Sequence, residues 1–497
     1  MVKETWNQLL KNQDVRQNLS KLRQEIREGR GREELLSYLA GTEDILTVFL
    51  KSEDAKTRKN AVLLMGDIGK QEYLEPLFEA YRAELQLFVR SAYLTAIKNL
   101  DYREYLDYFK ERLEELSKAE AAVENQKHVT EEIRELSSMI VTMEGVRKHR
   151  FRAWEETADI VLLTNRNFQE ITGAELKERE PRAKIKIFGA GVMARVTNLH
   201  WVNQIRTYQE LLFVIKGMQT SPMDPDLAAE VIVKSDLIHF LERSHEGEVP
   251  FYFRVELKSK MDRSKKSAFT RKLSARIEKL SARKLINTTS NYEFEIRLIE
   301  NKEGGFNILV RLYTLKDERF LYRREVTAVS IKPANAALTV KLAQPYMKEG
   351  AQVLDPFCGV GTMLIERHKA VKAGTMYGLD ILEEAIEKAR KNTAEAGQMI
   401  HYINRDFFDF KHEYLFDEII TNMPFKIGRK TEEEIENLYE AFFASAKKVL
   451  KDDGIMILYS HSAGHVRKMA PANGFTVSET FEISFKEGTY VFVLNRR

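Results

Sequence analysis

The spacing of apolar positions changes twice along the 497-residue chain. Over residues 1 to about 150 it is helical, and Pro76 is the sole proline there, so helix is predicted throughout. After Arg150 short runs suited to half-buried strands take over: Ala158 to Thr164, Ala183 to Phe188, Pro250 to Val255, Glu293 to Leu298 and Asn307 to Leu312. The turn-prone Glu303-Gly304-Gly305 separates the last two, and helices are expected near 203–216, 226–243 and 270–285. From Lys332 onward strands and helices alternate, with strands at 352–357, 375–381, 401–405, 416–422, 454–460, 475–485 and 489–495. Lys486-Glu487-Gly488 leaves no room for a crossover helix, so the last two strands must pair antiparallel. The expected fold is multidomain: an α-helical region (1–150), an α+β module (151–327) and an α/β domain (328–497).

The helical region carries a weak repeat. Arg58-Lys59-Asn60-Ala61 aligns with Arg90-Ser91-Ala92-Tyr93, and Tyr73-Leu74 with Tyr105-Leu106, both at an offset of 32 residues. Such a period signals stacked helix pairs, and Asp54 to Gly69 resembles a HEAT-type repeat; an irregular bundle is the alternative. The region reads either as a docking surface for protein or RNA or as a solvated extension. Hydrophobic residues make up 43% and charged residues 31% of the chain, with no apolar run of membrane-spanning length and no signal-peptide core near the N-terminus. A single cysteine excludes an internal disulfide and a Cys-rich zinc site, and the ten histidines lack ligand spacing, so no metal is expected. A cytoplasmic protein without membrane contact follows as the expectation.

The net charge of +3 hides a local excess. Between Lys258 and Lys284 stand 11 basic residues against Asp262 and Glu278. Leu273, Ile277 and Leu280 give that helix a buried stripe, and Lys272, Arg276, Lys279 and Arg283 form a second stripe expected to face solvent. A charged stripe of one sign is either a solvated face or a contact for a polyanion such as RNA.

Candidate chemistry lies in the α/β part. Asp355-Pro356-Phe357-Cys358-Gly359-Val360-Gly361-Thr362 follows the apolar Val353-Leu354 and opens a helix, a glycine loop at a helix N-terminus where backbone can approach a nucleotide-like ligand. Asn422-Met423-Pro424-Phe425 follows Glu418 to Thr421 at another strand's carboxyl end. Asp380 and Asp406 stand at the ends of the strands between them. Cys358 has no histidine nearby to activate it and reads as a packing residue, and Ser460-His461 is no sign of a hydrolase.

Together the two loops resemble the ligand and catalytic loops of S-adenosylmethionine-dependent amino-group methyltransferases with a Rossmann-like fold. That resemblance implies Asp355, Pro356, Gly359, Gly361 and Thr362 around the cofactor. Asp380 would hold its ribose and Asp406-Phe407 its adenine, with Lys332 and Pro333 in a segment closing over it. In the family's (D/N/S)-P-P-(Y/F) pattern Asn422, Met423, Pro424 and Phe425 would be catalytic; Met423 replaces a proline found in many relatives. The order of an α+β module, the basic segment and then a methyltransferase resembles the THUMP family over roughly residues 155–325. It implies that residues 151–327 form a ferredoxin-like and THUMP RNA-binding module, with guanine N2 in tRNA as the expected target and ribosomal RNA second. Adenine N6 or protein glutamine methylation uses the same kind of loop, and a non-catalytic RNA-binding assembly factor is the alternative from another class. The segment from Lys426 to Lys430 is expected to meet the target nucleotide.

Overall fold

A computed structural model describes residues 2–29, 31–39, 45–118, 125–144, 149–426 and 431–496. The chain divides into two compact units: Met1–Lys148 with Val249–Tyr252 and Ala275–Asn291, and His149–Glu248 with Phe253–Ser274 and Tyr292–Arg497.

Between residues 2 and 144 the described residues of the first unit form helices and short turns, with no strand. The 32-residue offset reappears in its elements: helices start at Ala55 and Leu87, 3-10 turns end at Tyr73 and Tyr105, and the following helices start at Leu74 and Leu106. The repeated arginines play matching parts. Arg58 pairs with Glu84 at 2.7 Å and Arg90 with Glu132 at 3.2 Å, and both carboxylates are buried.

The second unit holds two large sheets. Within the first, neighbouring strands run in the order Lys184–Phe188, Gly191–Val196, Ala158–Leu163, Glu210–Phe213, Gly305–Leu312, Phe294–Glu300 and 253–258. The helix expected near 203–216 is absent. Glu210–Phe213 is instead a strand between two others, and such a strand, covered on both faces, has no alternation to separate it from helix. The region 226–243 forms two helices, Pro225–Lys234 and Leu237–Ser244, parted at Ser235-Asp236. Gly191–Val196, unpredicted, completes a hairpin with Lys184–Phe188.

The other sheet is the one that positions the site. Its strands are β1 (Gln352–Asp355), β2 (Thr375–Asp380), β3 (His401–Asn404), β4 (Phe416–Asn422), β5 (Leu450–Ser460), β6 (Phe475–Ser484) and β7 (Thr489–Arg496). Their order is β3-β2-β1-β4-β5-β7-β6, with β1 to β5 parallel and β7 antiparallel to both neighbours. Helices α1 (Pro333–Ala343), α2 (Thr362–Ala370), α3 (Glu383–Glu395), α4 (Glu432–Val449) and α5 (Ala463–Ala472) accompany them. This is the Rossmann-like methyltransferase layout. The order reverses between β1 and β4, so the crevice outside their carboxyl ends is where this sheet type places ligands.

Candidate active site

β1 ends at Asp355, and the chain turns through two glycines in the left-handed region, Gly359 at φ 53° and Gly361 at φ 81°. A Cβ at Gly361 would come within 2.2 Å of the Tyr402 hydroxyl, whereas one at Gly359 would meet nothing within 4 Å. One glycine is thus required by packing, and the other leaves room beside the loop. Asp355 is buried, accepts the Phe357 amide at 3.1 Å, and its carboxyl is pushed up to about 7 by that burial. Asp380, ending β2, accepts the Gly359 amide at 3.0 Å and the Leu382 amide at 2.9 Å, which fixes its carboxylate against the glycine loop.

Asp406 caps the short turn Phe407–Asp409 by accepting the Phe408 amide at 3.0 Å, and it remains exposed. The Phe407 ring is buried against Phe357 and Phe442, so any ligand contact from Phe407 is left to its backbone. Thr362 is buried at the start of α2, and its hydroxyl has no hydrogen-bond partner among the described residues. Cys358 is buried and its thiol is pushed up by desolvation, as befits a packing residue. No His, Cys, Asp or Glu cluster with metal-binding geometry occurs among the described residues.

At the end of β4, Asn422 presents a buried Oδ1 with no hydrogen-bond partner among the described residues. Native proteins rarely leave such an acceptor unpaired. Met423 donates its amide to the Tyr459 carbonyl at 2.9 Å and buries its side chain, so it serves through its backbone. Phe425 stacks on His461 with ring centroids 4.0 Å apart and planes 23° from parallel. Of the segment from Lys426 to Lys430, residues 427–430 lie outside the described residues.

Three supports went unread in the sequence. His461 lies one residue past β5, on the same sheet edge as Asn422, and that strand-end position was the available signal. Arg367 on α2 and Glu418 on β4 form a fully buried pair at 2.7 Å that ties the helix after the glycine loop to the strand carrying Asn422. A hydrogen-bond chain runs from Ile483 on β6 to Asn165, Gln209, Asn335 and Tyr459, with links of 3.3, 2.6, 2.8 and 3.2 Å. Tyr459 in turn packs edge-on against His461.

The basic segment needs correction. Its helix spans Arg263–Leu280 rather than 270–285, because Asp262 accepts the Lys265 amide at 2.9 Å and starts it early. Lys279 is exposed and Lys272 pairs with Asp226 at 2.7 Å. Arg276 is half-buried, as is Leu280. Arg283 does not face solvent. It lies past the helix end at φ 62°, with only 12% of its side chain exposed, bonded to Glu278 at 3.4 Å and to the Ser137 hydroxyl at 2.5 Å.

Residues 321–488 match the UPF0020 family of RMKL-like methyltransferase domains. Over 163 residues the chain is 29% identical to the tRNA (guanine(10)-N2)-dimethyltransferase of Methanothermobacter thermautotrophicus, covering 29% of this chain and 48% of that protein. Over 121 residues it is 31% identical to the ribosomal protein L11 methyltransferase of Dictyoglomus turgidum, covering 24% and 36%. The chain thus spans about half or less of these relatives' lengths. In fold it resembles the crystal structure of TrmN from Thermus thermophilus, with a TM-score of 0.52 at 19% identity, over 69% of this chain and 100% of that one. That extent exceeds the C-terminal domain alone. The C-terminal domain is a methyltransferase domain, and the cofactor of such a domain is S-adenosylmethionine.

The residues present fit that cofactor. Open space beside Gly359 can take its methionine part, the buried Asp355 carboxyl suits its ammonium, and Asp380 retains lone pairs for ribose hydroxyls.

Proposed function

We propose that this protein methylates an exocyclic base amine in structured RNA, guanine N2 in tRNA first and ribosomal RNA second. The observation that carries this reading is the buried Oδ1 of Asn422, without a hydrogen-bond partner among the described residues, three positions before a Phe425 ring stacked on His461. An aryl amine is a poor nucleophile because its lone pair conjugates with the base. Asn422 Oδ1 accepts one amine hydrogen and the Met423 carbonyl the other, turning the lone pair out of the ring plane. Phe425 stacks on the extruded base with the face that His461 leaves free. The cofactor supplies a methyl group on a sulfonium, an electrophile that needs no further activation. No general base is required beforehand, since the nitrogen loses its proton after transfer; orientation and dehydration supply the rate.

The choice of guanine draws on the name of the tRNA relative and on the resemblance of residues 155–325 to THUMP modules. In this reading that module and the exposed Lys279 hold RNA phosphates, and the HEAT-like helices at 1–150 add a protein or RNA contact, in the cytoplasm. The test is incubation of purified protein and labelled cofactor with unmodified tRNA, ribosomal RNA and ribosomal protein. N2-methylguanosine in the tRNA digest is expected. N6-methyladenosine would overturn the guanine assignment, and label confined to protein would overturn RNA as substrate.

A further inference from the structure

The β6–β7 hairpin ends in Phe485-Lys486-Glu487-Gly488, a four-residue turn closed by the Gly488 amide on the Phe485 carbonyl at 3.3 Å. Phe485 at its tip is 87% exposed, the most exposed phenylalanine among the described residues. Single exposed apolar residues are ordinary, so exposure alone assigns nothing. Where the tip lies makes the difference. Ser460, the residue before His461, pairs with Tyr490 of β7, and Ser484 pairs with Thr489, so the turn between β6 and β7 stands at the sheet end where the His461 ring stacks on Phe425. Hence the tip shares that end of the sheet with the ring that faces the target base. Burial lowers the His461 pKa, which favours the neutral ring against an aromatic face.

The tip is also braced from behind. Asn165 donates to the Ile483 carbonyl at 3.3 Å, the Glu487 amide bonds the Ser484 hydroxyl at 3.2 Å, and β6 pairs with β7 along its length. An exposed aromatic on a braced turn beside a base-stacking site suits a nucleobase, because every base offers a π-face and stacking needs no hydrogen-bond match. The adjacent exposed Lys486 supplies a cation for the phosphate of the same nucleotide.

We propose that Phe485 stacks on an unpaired RNA nucleotide neighbouring the methylated base, with Lys486 on its phosphate, so that the hairpin tip recognises the substrate. This rests on the RNA methyltransferase reading given above. The test compares full-length wild type, Phe485→Ala, Phe485→Trp and Lys486→Ala, measuring kcat and KM on tRNA, direct tRNA binding and calorimetric cofactor binding. Phe485→Ala should lose about 10-fold in kcat/KM, mainly through KM. Phe485→Trp should restore it, and cofactor affinity should not move. Lys486→Ala should weaken binding more modestly and lower its salt dependence. An active wild type with Phe485→Ala unchanged would overturn the hairpin assignment alone and turn the tip toward a protein surface. A wild type that leaves all RNA unmethylated would overturn both readings. A Phe485→Ala loss that includes cofactor binding would also overturn the assignment, because the tip would then act through the fold.

Discussion

Asp355 and Asn422 show how far single residues carry the site. Burial raises Asp355 to about 7, well above the usual carboxylate range. The folded chain therefore keeps a proton that the unfolded chain gives up near pH 4. The contribution of Asp355 to stability falls as pH rises from about 4 to 7 and is flat above that. A cation placed beside this carboxyl favours its charged form, so cofactor binding should release a proton. Calorimetry should show affinity rising from about pH 6 to 8, and Asp355→Asn should flatten the rise. The two loops divide the labour. Asp380→Ala should weaken cofactor binding by about 1–3 kcal/mol through lost ribose hydrogen bonds. Asn422→Ala should leave that affinity nearly unchanged and remove most of the methyl-transfer rate; the reverse pattern in binding and kinetic assays would exchange their roles. These residues were legible because glycines and acids at strand ends form a local pattern. His461 and the Arg367–Glu418 pair were not, since their meaning lies in neighbours 36 and 51 positions away in sequence.

Elements were legible in proportion to how cleanly burial alternates along them. All seven strands of the C-terminal sheet fall where the apolar runs predict, because helices between parallel strands reset the pattern each time. The first sheet defeats the same reading at Glu210–Phe213, where burial on both faces erases alternation. The basic helix shows a different failure. Spacing assigned Arg283 to a solvent stripe, but the helix stops at Leu280 and the next turn folds that guanidinium inward. Its variants should therefore behave unlike those of true surface residues. Arg271→Glu with Lys279→Glu, both exposed, should reduce RNA affinity and flatten its salt dependence while leaving thermal stability nearly unchanged. Arg283→Glu should cost about 3–5 kcal/mol in denaturant unfolding, because it sets a second carboxylate beside Glu278 in a buried place. Equal stability of the two variants would return Arg283 to the surface.

At the scale of the whole molecule the two compact units do not follow the chain once each. The helical unit draws in Val249–Tyr252 and Ala275–Asn291, short segments set within the sequence of the other unit. Those segments carry buried apolar side chains, Phe251, Ile277 and Leu285 among them, and Arg283 bonds Ser137 within the same unit. A linear division at residue 150 is what a change of periodicity can detect; an interrupted unit leaves no such mark, since its inserted pieces are too short to show a period. Deleting residues 1–148 therefore should not yield a clean two-part protein. The shortened chain would leave these segments without the helices of their own unit, and Arg283 without Ser137. It should bind a hydrophobic dye and associate in light scattering. The cores around β1 to β7 draw only on residues of the other unit, Phe168 among them, so cofactor binding measured by calorimetry should persist. A monodisperse, dye-negative shortened chain would show that the inserted segments need no cover from residues 1–148.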